Sequence, residues 1–245
     1  VGLGRMEEPA VIAAATAELF DNGLLAGKRV LITAGPTREA LDPVRYISNH
    51  SSGKMGYALA QAAIEAGAVT TLISGPVSLQ APDHARLLRV ESAVEMLDQC
   101  MRLLDDCDVF IACAAVADYR PAAMEQQKIK KGPEQISLQL VRNPDIVAAV
   151  AASAQRPFTV GFAAETTELL AHAREKMLRK GLDMIVANDV STKAAGFNSD
   201  NNEATVLWPG GEQPLALMGK GAMARRIIEL LAQQLSDREN LAASP

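Results

Sequence analysis

Two hydrophobic periodicities alternate along the chain. Short apolar runs closed by Gly, Pro or polar residues, such as 29–34 and 108–115, are typical of buried parallel strands. Segments with apolar residues at helical spacing, such as 53–66 and 168–180, lie between them. This alternation predicts an α/β fold, a doubly wound and mostly parallel Rossmann-like sheet covered by helices.

The remaining elements extend this pattern and add one antiparallel feature. Further strands are predicted at 69–74, 87–90, 136–141, 158–163 and 183–187, and the run 108–115, apolar on both faces, predicts a central strand. Ser92 and Glu95 predict a capped helix to about Leu104, and a last helix is predicted over 221–235. Residues 203–208 and 214–218, joined through Pro209-Gly-Gly, predict a β-hairpin appended to the sheet.

Composition narrows the class of protein. The 245 residues carry a net charge of −5, which argues against a broad surface for nucleic acid or membrane. The three cysteines show no metal-ligand spacing, and their odd number predicts a reducing, cytoplasmic compartment. Aromatic residues make up only 4%, which suits parallel strands under helices better than a β-sandwich.

The segment Arg45-Tyr-Ile-Ser-Asn-His-Ser-Ser-Gly-Lys-Met-Gly56 resembles a phosphate-binding loop without being one, since Met55 follows the lysine. Its turn offers free N–H groups at a helix start, where an anion binds favourably. An equally weighted alternative is that the serines cap the helix and Gly56 packs on the sheet. Asn49 can both donate and accept hydrogen bonds, although a loop asparagine is often a turn-former.

Further candidate groups follow later strands of the sheet. Asp118 comes after the central strand, and the lysines of Lys128-Ile-Lys-Lys131 suit either a lid over phosphates or a solvated basic loop. Asn143-Pro-Asp-Ile146 predicts a helix with Asn143 as its cap and Pro144 at its first position, and hence a second anion site. Lys176 and Lys180 share one helix face.

Together these groups favour a nucleotide-handling enzyme. The chain has no GxGxxG fingerprint, which weakens the alternative of an NAD-type oxidoreductase. A non-catalytic nucleotide-binding module that regulates an upstream enzyme remains a second alternative. It predicts binding without turnover.

Seven segments resemble a known family in order and over most of the chain. They are Gly35-Pro-Thr-Arg-Glu39, Asp42–Gly56, Ala114-Ala-Val-Ala-Asp-Tyr119, Lys128-Ile-Lys-Lys131, Asn143-Pro-Asp-Ile146, Gly161-Phe-Ala-Ala-Glu-Thr166 and Ala187-Asn-Asp-Val190. The family is that of phosphopantothenate–cysteine ligase, the second half of the bacterial bifunctional coenzyme A biosynthesis protein. The resemblance implies that CTP activates 4′-phosphopantothenate as an acyl-cytidylate, with Mg²⁺ assisting, and that cysteine then displaces CMP.

The resemblance also implies roles for residues. Lys128 matches the lysine of the first half-reaction and Asn49 the asparagine that converts the acyl-cytidylate into product. The phosphopantothenate end is expected at Asn49, Ser51, Ser52 and Gly53. The implied CTP contacts are Ala112, Cys113, Ala114, Asp118, Lys128, Pro144, Asp145, Ile146, Val147, Phe162, Lys176 and Lys180. No metal ligands are implied, so they stay unknown.

The same resemblance predicts the organisation of the chain. Residues 1–26 are expected to be the tail of an upstream flavin-dependent decarboxylase and its linker, residues 27–237 the ligase domain, and residues 238–245 a flexible tail. The decarboxylase's own motifs are absent from this sequence, so no flavin is expected here. Small-molecule substrates, a covalently linked decarboxylase and a homodimer formed through the 203–218 hairpin are the expected partners.

Overall fold

The computed structural model describes Pro9 and residues 23–132, 134–165, 169–189 and 199–243. Its strands are β1 (Arg29–Ala34), β2 (Arg38–Ala40), β3 (Tyr46–Ser48), β4 (Val69–Ser74), β5 (Arg86–Arg89), β6 (Val109–Ala112), β7 (Tyr119–Pro121), β8 (Leu140–Arg142), β9 (Phe158–Glu165), β10 (Met184–Asp189), β11 (Asn201–Trp208) and β12 (Gly211–Gly219). Its α-helices are α1 (Lys54–Glu65), α2 (Ala93–Arg102), α3 (Ile146–Ala151), α4 (Leu169–Lys180) and α5 (Lys220–Ala243).

Eight strands form one sheet in the order β12-β11-β10-β9-β6-β1-β4-β5. The six strands from β10 to β5 are parallel, which confirms the doubly wound sheet and the central position of β6. Two small antiparallel pairs, β2 with β3 and β7 with β8, lie outside the main sheet. The carboxyl ends of the parallel strands therefore meet along one rim, where ligands of such folds bind.

Helices cover both faces of the sheet. Alternate residues of β1 show the division, since Val30 and Ile32 pack with α1 and α5 while Leu31 packs with α2 and α3. A third cluster holds α4 against β10 through Ala173, Met177 and Ile185. This two-sided burial explains why the sheet strands read as continuous apolar runs.

The predicted hairpin is confirmed, and the structure shows where it joins the sheet. β11 pairs antiparallel with β12 and also with β10, so the hairpin forms one edge of the main sheet. The sequence could not show this, because the pairing of β10 with β11 depends on how the chain returns after residue 189. The final helix is longer than predicted. It runs to Ala243, so residues 238–243 are helical rather than a tail.

Two other elements differ from the sequence-based prediction. The predicted strand 136–141 reduces to β8, whose three residues are exposed and pair only with β7. Helix α2 ends at Arg102, and a separate 3₁₀ turn covers Leu104–Asp106. Ser92 caps α2 as predicted, because its hydroxyl accepts the Glu95 N–H at 3.2 Å. Among the described residues, no helix combines the length and hydropathy needed to cross a membrane.

Candidate active site

A cavity of about 750 Å³ opens where β6 and β9 end and α3 and α4 face each other. We call it the strand-end cavity. Ten of the predicted nucleotide-binding residues line it, namely Ala112, Ala114, Asp118, Pro144, Asp145, Ile146, Val147, Phe162, Lys176 and Lys180. They come from four separate segments of the chain, so the fold itself assembles this set.

Small side chains make one wall of this cavity flat. Ala112 ends β6, and Ala114 follows it with its backbone N–H donating to the Thr33 hydroxyl at 3.3 Å. A second threonine, Thr37, accepts the Ala117 N–H at 3.0 Å and is fully buried. The backbone after β6 is thus fixed at an open rim that a planar ring can approach closely.

The opposite wall is basic. The Lys176 ammonium donates to the carbonyl oxygen of Phe162 at 2.9 Å, and the Lys180 ammonium lies 2.7 Å from the Asp145 carboxylate. Arg179 lines the same wall. Helix α4 presents Lys176 and Lys180 on one face because they stand four residues apart. This concentration of positive charge suits a polyanionic ligand.

Asp145, rather than Asn143, caps helix α3. Its carboxylate accepts the Ala148 N–H at 3.1 Å, and the helix begins at Ile146, after Pro144. Burial raises the pKa of Asp145, but the Lys180 hydrogen bond, the Ala148 N–H and the nearby lysine charges lower it more, leaving that pKa below its usual value. The predicted cap at Asn143 is therefore wrong, whereas an anion site at this helix start stays a prediction.

Asn143 has a different task. Its side-chain amide donates to the Ala117 carbonyl oxygen at 2.8 Å and accepts from the Arg120 guanidinium at 3.1 Å. Its backbone N–H donates to the backbone carbonyl oxygen of Asp118 at 2.9 Å. These bonds tie the start of α3 to the loop after β6. Asn143 thereby holds Asp118 at the mouth of the strand-end cavity.

A second, smaller cavity of about 350 Å³ contains the other predicted site residues. We call it the Asn49 cavity, and Asn49, Ser51, Ser52, Gly53 and Cys113 line it. The Asn49 amide donates to the carbonyl oxygens of Ala115 and Val116 at 3.3 and 3.0 Å. These bonds orient the asparagine over the loop that leaves β6.

The serines of the turn do not cap helix α1, although the Ser51 hydroxyl accepts the Gly53 N–H at 3.3 Å. Gly53 occupies the N-cap position with φ of +76°, and no side chain caps the helix there. A left-handed φ suits glycine. Gly56 packs closely on the sheet, as the alternative interpretation of this loop expected. A Cβ on Gly56 would lie 2.5 Å from the Ala34 Cβ.

The Asn49 cavity also contains residues that the sequence-based prediction missed. Lys220 is buried, and its ammonium donates to the Ser199 carbonyl oxygen at 2.6 Å. Burial and the charge of Lys54 lower the pKa of Lys220, with Asp200 opposing. Asn202 donates to Asn188 at 3.0 Å on the same side. Asn188 lies in the Ala187-Asn-Asp-Val190 segment, but Lys220 carried no sequence signal.

The two cavities are adjacent. Ala114, Val116, Asp118, Phe162 and Lys176 line both of them. A ligand in the strand-end cavity and one in the Asn49 cavity would therefore meet beside the loop after β6. Such an arrangement suits a reaction that joins two substrates.

Lys128 lies outside both cavities. It is exposed on the segment 122–132 that follows β7, which we call the lysine loop, and it lines neither cavity. Its neighbour Ile129 is held instead by Asp42 and Arg45, at 3.1 and 2.9 Å. Of the predicted catalytic pair, Asn49 lines a cavity and Lys128 lines neither.

Residues 25–235 match the model of the family described as the DNA/pantothenate metabolism flavoprotein C-terminal domain. The chain belongs to this family. The match covers every strand and helix described above except the last turns of α5. Membership in the DNA/pantothenate metabolism flavoprotein C-terminal domain family thus rests on the whole fold and not on one motif.

Curated relatives agree with this membership. The coenzyme A biosynthesis bifunctional protein CoaBC of Vibrio cholerae is 53% identical over 96% of the chain, and that of Escherichia coli K12 is 46% identical over 97%. The chain spans 60% of the length of each of these relatives. These matches confirm the resemblance that the sequence motifs carried.

A solved structure shares the fold. The crystal structure of the C-terminal domain of a coenzyme A biosynthesis bifunctional protein CoaBC superposes with a TM-score of 0.76 at 39% identity. The superposition covers 88% of this chain and 99% of that one. The described α/β architecture is therefore the architecture of that C-terminal domain.

Proposed function

We propose that the chain is a CTP-dependent phosphopantothenate–cysteine ligase. It joins 4′-phosphopantothenate and L-cysteine through an acyl-cytidylate and yields phosphopantothenoylcysteine, CMP and pyrophosphate. Three similarities support this proposal: the family match, the CoaBC relatives, and the crystal structure of a CoaBC C-terminal domain that shares this fold. The observation that carries it is the meeting of the strand-end and Asn49 cavities around Ala114, Val116 and Phe162.

In the first half-reaction the substrate carboxylate attacks the α-phosphorus of CTP, and pyrophosphate leaves. A carboxylate and a triphosphate repel each other, so positive charge must offset the repulsion. Lys176 and Lys180 supply it from the basic wall, with Asp118 and Phe162 at the nucleoside end. Lys128 would reach the phosphates through movement of the lysine loop, since it starts outside the cavity.

Mg²⁺ fits this site only together with the nucleotide. No group of three or more metal-binding side chains occurs in the described parts of the chain. Mg²⁺ usually binds through one or two carboxylates plus substrate phosphates, and Asp118 is an exposed carboxylate at the cavity mouth. Bound in this way, the ion would neutralise phosphate charge.

In the second half-reaction the cysteine amine attacks the acyl carbonyl and CMP leaves. Negative charge grows on the carbonyl oxygen as the amine adds, and a fixed N–H donor stabilises that charge. The Asn49 amide lines the Asn49 cavity and would supply such a donor once the acyl carbonyl replaces the Ala115 carbonyl oxygen, the acceptor of its longer bond at 3.3 Å. Ser51, Ser52 and Gly53 are assigned to the pantothenate end of the intermediate.

We also propose a homodimer whose interface differs from the predicted one. Large apolar side chains are exposed on the small pairs β2–β3 and β7–β8 and on the segment before β8, among them Val44, Tyr46, Tyr119, Ile136, Leu138 and Leu140. β2 lies against β7, so the two strand pairs are neighbours. Exposed apolar patches of this kind mark protein interfaces. We therefore place the interface here rather than at the β11–β12 hairpin.

The relatives also support a proposal about the rest of the polypeptide. Because these proteins are bifunctional, we place a flavin-dependent decarboxylase on the same polypeptide, with residues 1–26 as its tail and linker. A metabolic enzyme of this kind works in the cytoplasm.

A pyrophosphate-release assay tests the proposed activity. Protein, CTP, Mg²⁺ and 4′-phosphopantothenate should release pyrophosphate, and Lys128→Gln should release it about 100-fold more slowly, because one cation facing the phosphates is lost. Arg102→Gln, which removes an exposed cation that lines neither cavity, serves as the matched control and should keep the rate. CTP binding without any pyrophosphate release would contradict the ligase and support a non-catalytic module.

A further inference from the structure

Asp42 is a buried carboxylate in the loop between β2 and β3. Its side chain is 0% exposed, and each of its two oxygens has separate partners. Oδ1 accepts the backbone N–H groups of Val44 and Arg45, both at 2.8 Å, and so closes the local turn. Oδ2 accepts from the Arg45 side chain and, at 3.1 Å, from the backbone N–H of Ile129 in the lysine loop.

Arg45 completes the connection. Its guanidinium donates to the Ile129 carbonyl oxygen at 2.9 Å, so both backbone polar groups of Ile129 are held. We call Asp42, Arg45 and Ile129 the Asp42 clasp. A further backbone bond, from the Glu125 N–H to the Leu41 carbonyl oxygen at 2.9 Å, lies on the same side of the lysine loop.

The clasp joins two segments that the proposed reaction uses at different steps. Arg45 immediately precedes β3, and Asn49 immediately follows it. Ile129 immediately follows Lys128. The hydrogen bond of the Arg45 guanidinium holds the pKa of Asp42 well below its usual range, with the backbone N–H donors acting in the same direction against burial. The carboxylate is therefore charged, and its bonds are the stronger charge-assisted kind.

The turn alone does not need this arrangement. Oδ1 by itself closes the turn at Val44 and Arg45, as an Asx turn requires. Oδ2 instead acts across the gap to a loop more than eighty positions away. Because Ile129 is fixed, the ammonium group of the adjacent Lys128 can take fewer positions. Less conformational entropy is then lost when Lys128 binds phosphate.

We propose that Asp42 is a positioning residue for Lys128, acting through Arg45 and Ile129 as the pivot about which the lysine loop moves. This inference rests on the proposed function, because it assigns Asp42 to the step that needs Lys128. Asp42 does not touch substrate. It sets the part of the loop from which Lys128 reaches the triphosphate.

Amide hydrogen exchange tests the clasp in the unaltered protein. The Ile129 amide should exchange about tenfold or more slowly than the amides of its loop neighbours Lys128 and Lys130. Exchange at the same rate as these neighbours would overturn the proposal. This readout requires neither turnover nor a variant that must fold.

Asp42→Asn separates the two oxygens of the carboxylate. An asparagine keeps the oxygen that closes the turn but places an NH₂ group against the Arg45 and Ile129 donors. Ile129 exchange should rise to the level of its neighbours, and pyrophosphate release at saturating CTP should fall by about 10- to 100-fold. Asp106→Asn, which removes an exposed carboxylate paired with Arg29, should change neither quantity. An unchanged or raised rate in Asp42→Asn would overturn the proposal.

A double variant shows whether Asp42 acts through Lys128. Asp42→Asn combined with Lys128→Gln should be no slower in pyrophosphate release than Lys128→Gln alone, whereas losses that multiply would assign Asp42 a merely structural role and overturn the proposal. A different result would refute the proposed function. If the unaltered protein releases no pyrophosphate, the ligase is wrong. If it does and Asp42→Asn matches it, only the positioning role is wrong.

Discussion

At the scale of single residues, Asn49 separates the two half-reactions. In Asn49→Asp, a carboxylate replaces the amide that donates to Ala115 and Val116 and that we assign to the acyl carbonyl. The variant should still form acyl-cytidylate but release product about 100-fold more slowly, because the donor for the growing negative charge is lost. Chemical quench after mixing with all three substrates should show the intermediate accumulating. Unchanged steady-state synthesis would refute the assignment.

Cys113 gives a residue-scale prediction about protonation. Burial raises the pKa of its thiol to about 12, against the opposing charge of Lys220. At pH 8 roughly one thiol in ten thousand is then ionised, and only the thiolate is a good nucleophile. Alkylation of Cys113 by iodoacetamide at pH 8 should be at least about 100-fold slower than in urea-unfolded protein. Mass spectrometry would show this, and equal rates would contradict the raised pKa of this half-buried thiol.

Some residues of this site can be recognised from the sequence, and others cannot. Asp118 and Lys176 follow recognisable patterns, a polar residue after a strand and a charge on one helix face. Lys220 lies in no such pattern, and the recognised segment Asp42–Gly56 does not show the role of Asp42. The significance of both residues depends on contacts with distant segments, Ser199 for Lys220 and Ile129 for Asp42. Those contacts exist only once the sheet has brought the segments together.

At the scale of elements, α1 depends on its close approach to β1. Gly56→Ala would place a Cβ 2.5 Å from the Ala34 Cβ, which forces the helix away from the sheet. Overpacking of this kind costs about 1–3 kcal/mol, and urea unfolding should show a loss of that size. Gly221→Ala, the same change in the exposed first turn of α5 with 4.0 Å to the nearest atom, should not destabilise the protein. Equal stability of both variants would contradict this packing.

Element boundaries show where local patterns fail. The pattern Asn143-Pro144 has the features of a helix start, yet α3 begins only at Ile146, because the Asn143 amide is used to hold Ala117. A tertiary hydrogen bond made by the Asn143 side chain thus overrides its local preference to cap a helix. The alternating residues 136–141 were predicted as a strand, but only β8 has a partner to pair with. The long parallel runs were predictable because both of their faces are buried.

At the scale of the whole molecule, the assembly depends on which apolar surface is covered. Leu138→Glu should convert the proposed homodimer to a monomer in sedimentation velocity, because it buries a charge in the interface. Leu217→Glu makes the same change at an equally exposed leucine of the β11–β12 hairpin and should leave the dimer intact. The opposite pattern would restore the hairpin as the interface, and a monomeric unaltered protein would exclude the homodimer.

The whole-molecule architecture was largely predictable, but the pairing that joins the hairpin to the sheet was not. Alternating strand and helix patterns specify a doubly wound sheet with one ligand-binding rim. They do not specify that β11 joins β10, which brings Asn202 and the start of α5 to the Asn49 cavity. The pantothenate half of the proposed site thus depends on a strand pairing that no local pattern contains.

An isotope-transfer measurement tests the acyl-cytidylate most directly. 4′-Phosphopantothenate labelled with ¹⁸O in both carboxylate oxygens is converted with CTP, Mg²⁺ and cysteine, and the CMP is analysed by mass spectrometry. If the carboxylate attacks the α-phosphorus and the amine then attacks the carbonyl, each CMP should carry one ¹⁸O atom in its phosphate. Unlabelled CMP, formed together with phosphopantothenoylcysteine, would contradict the account.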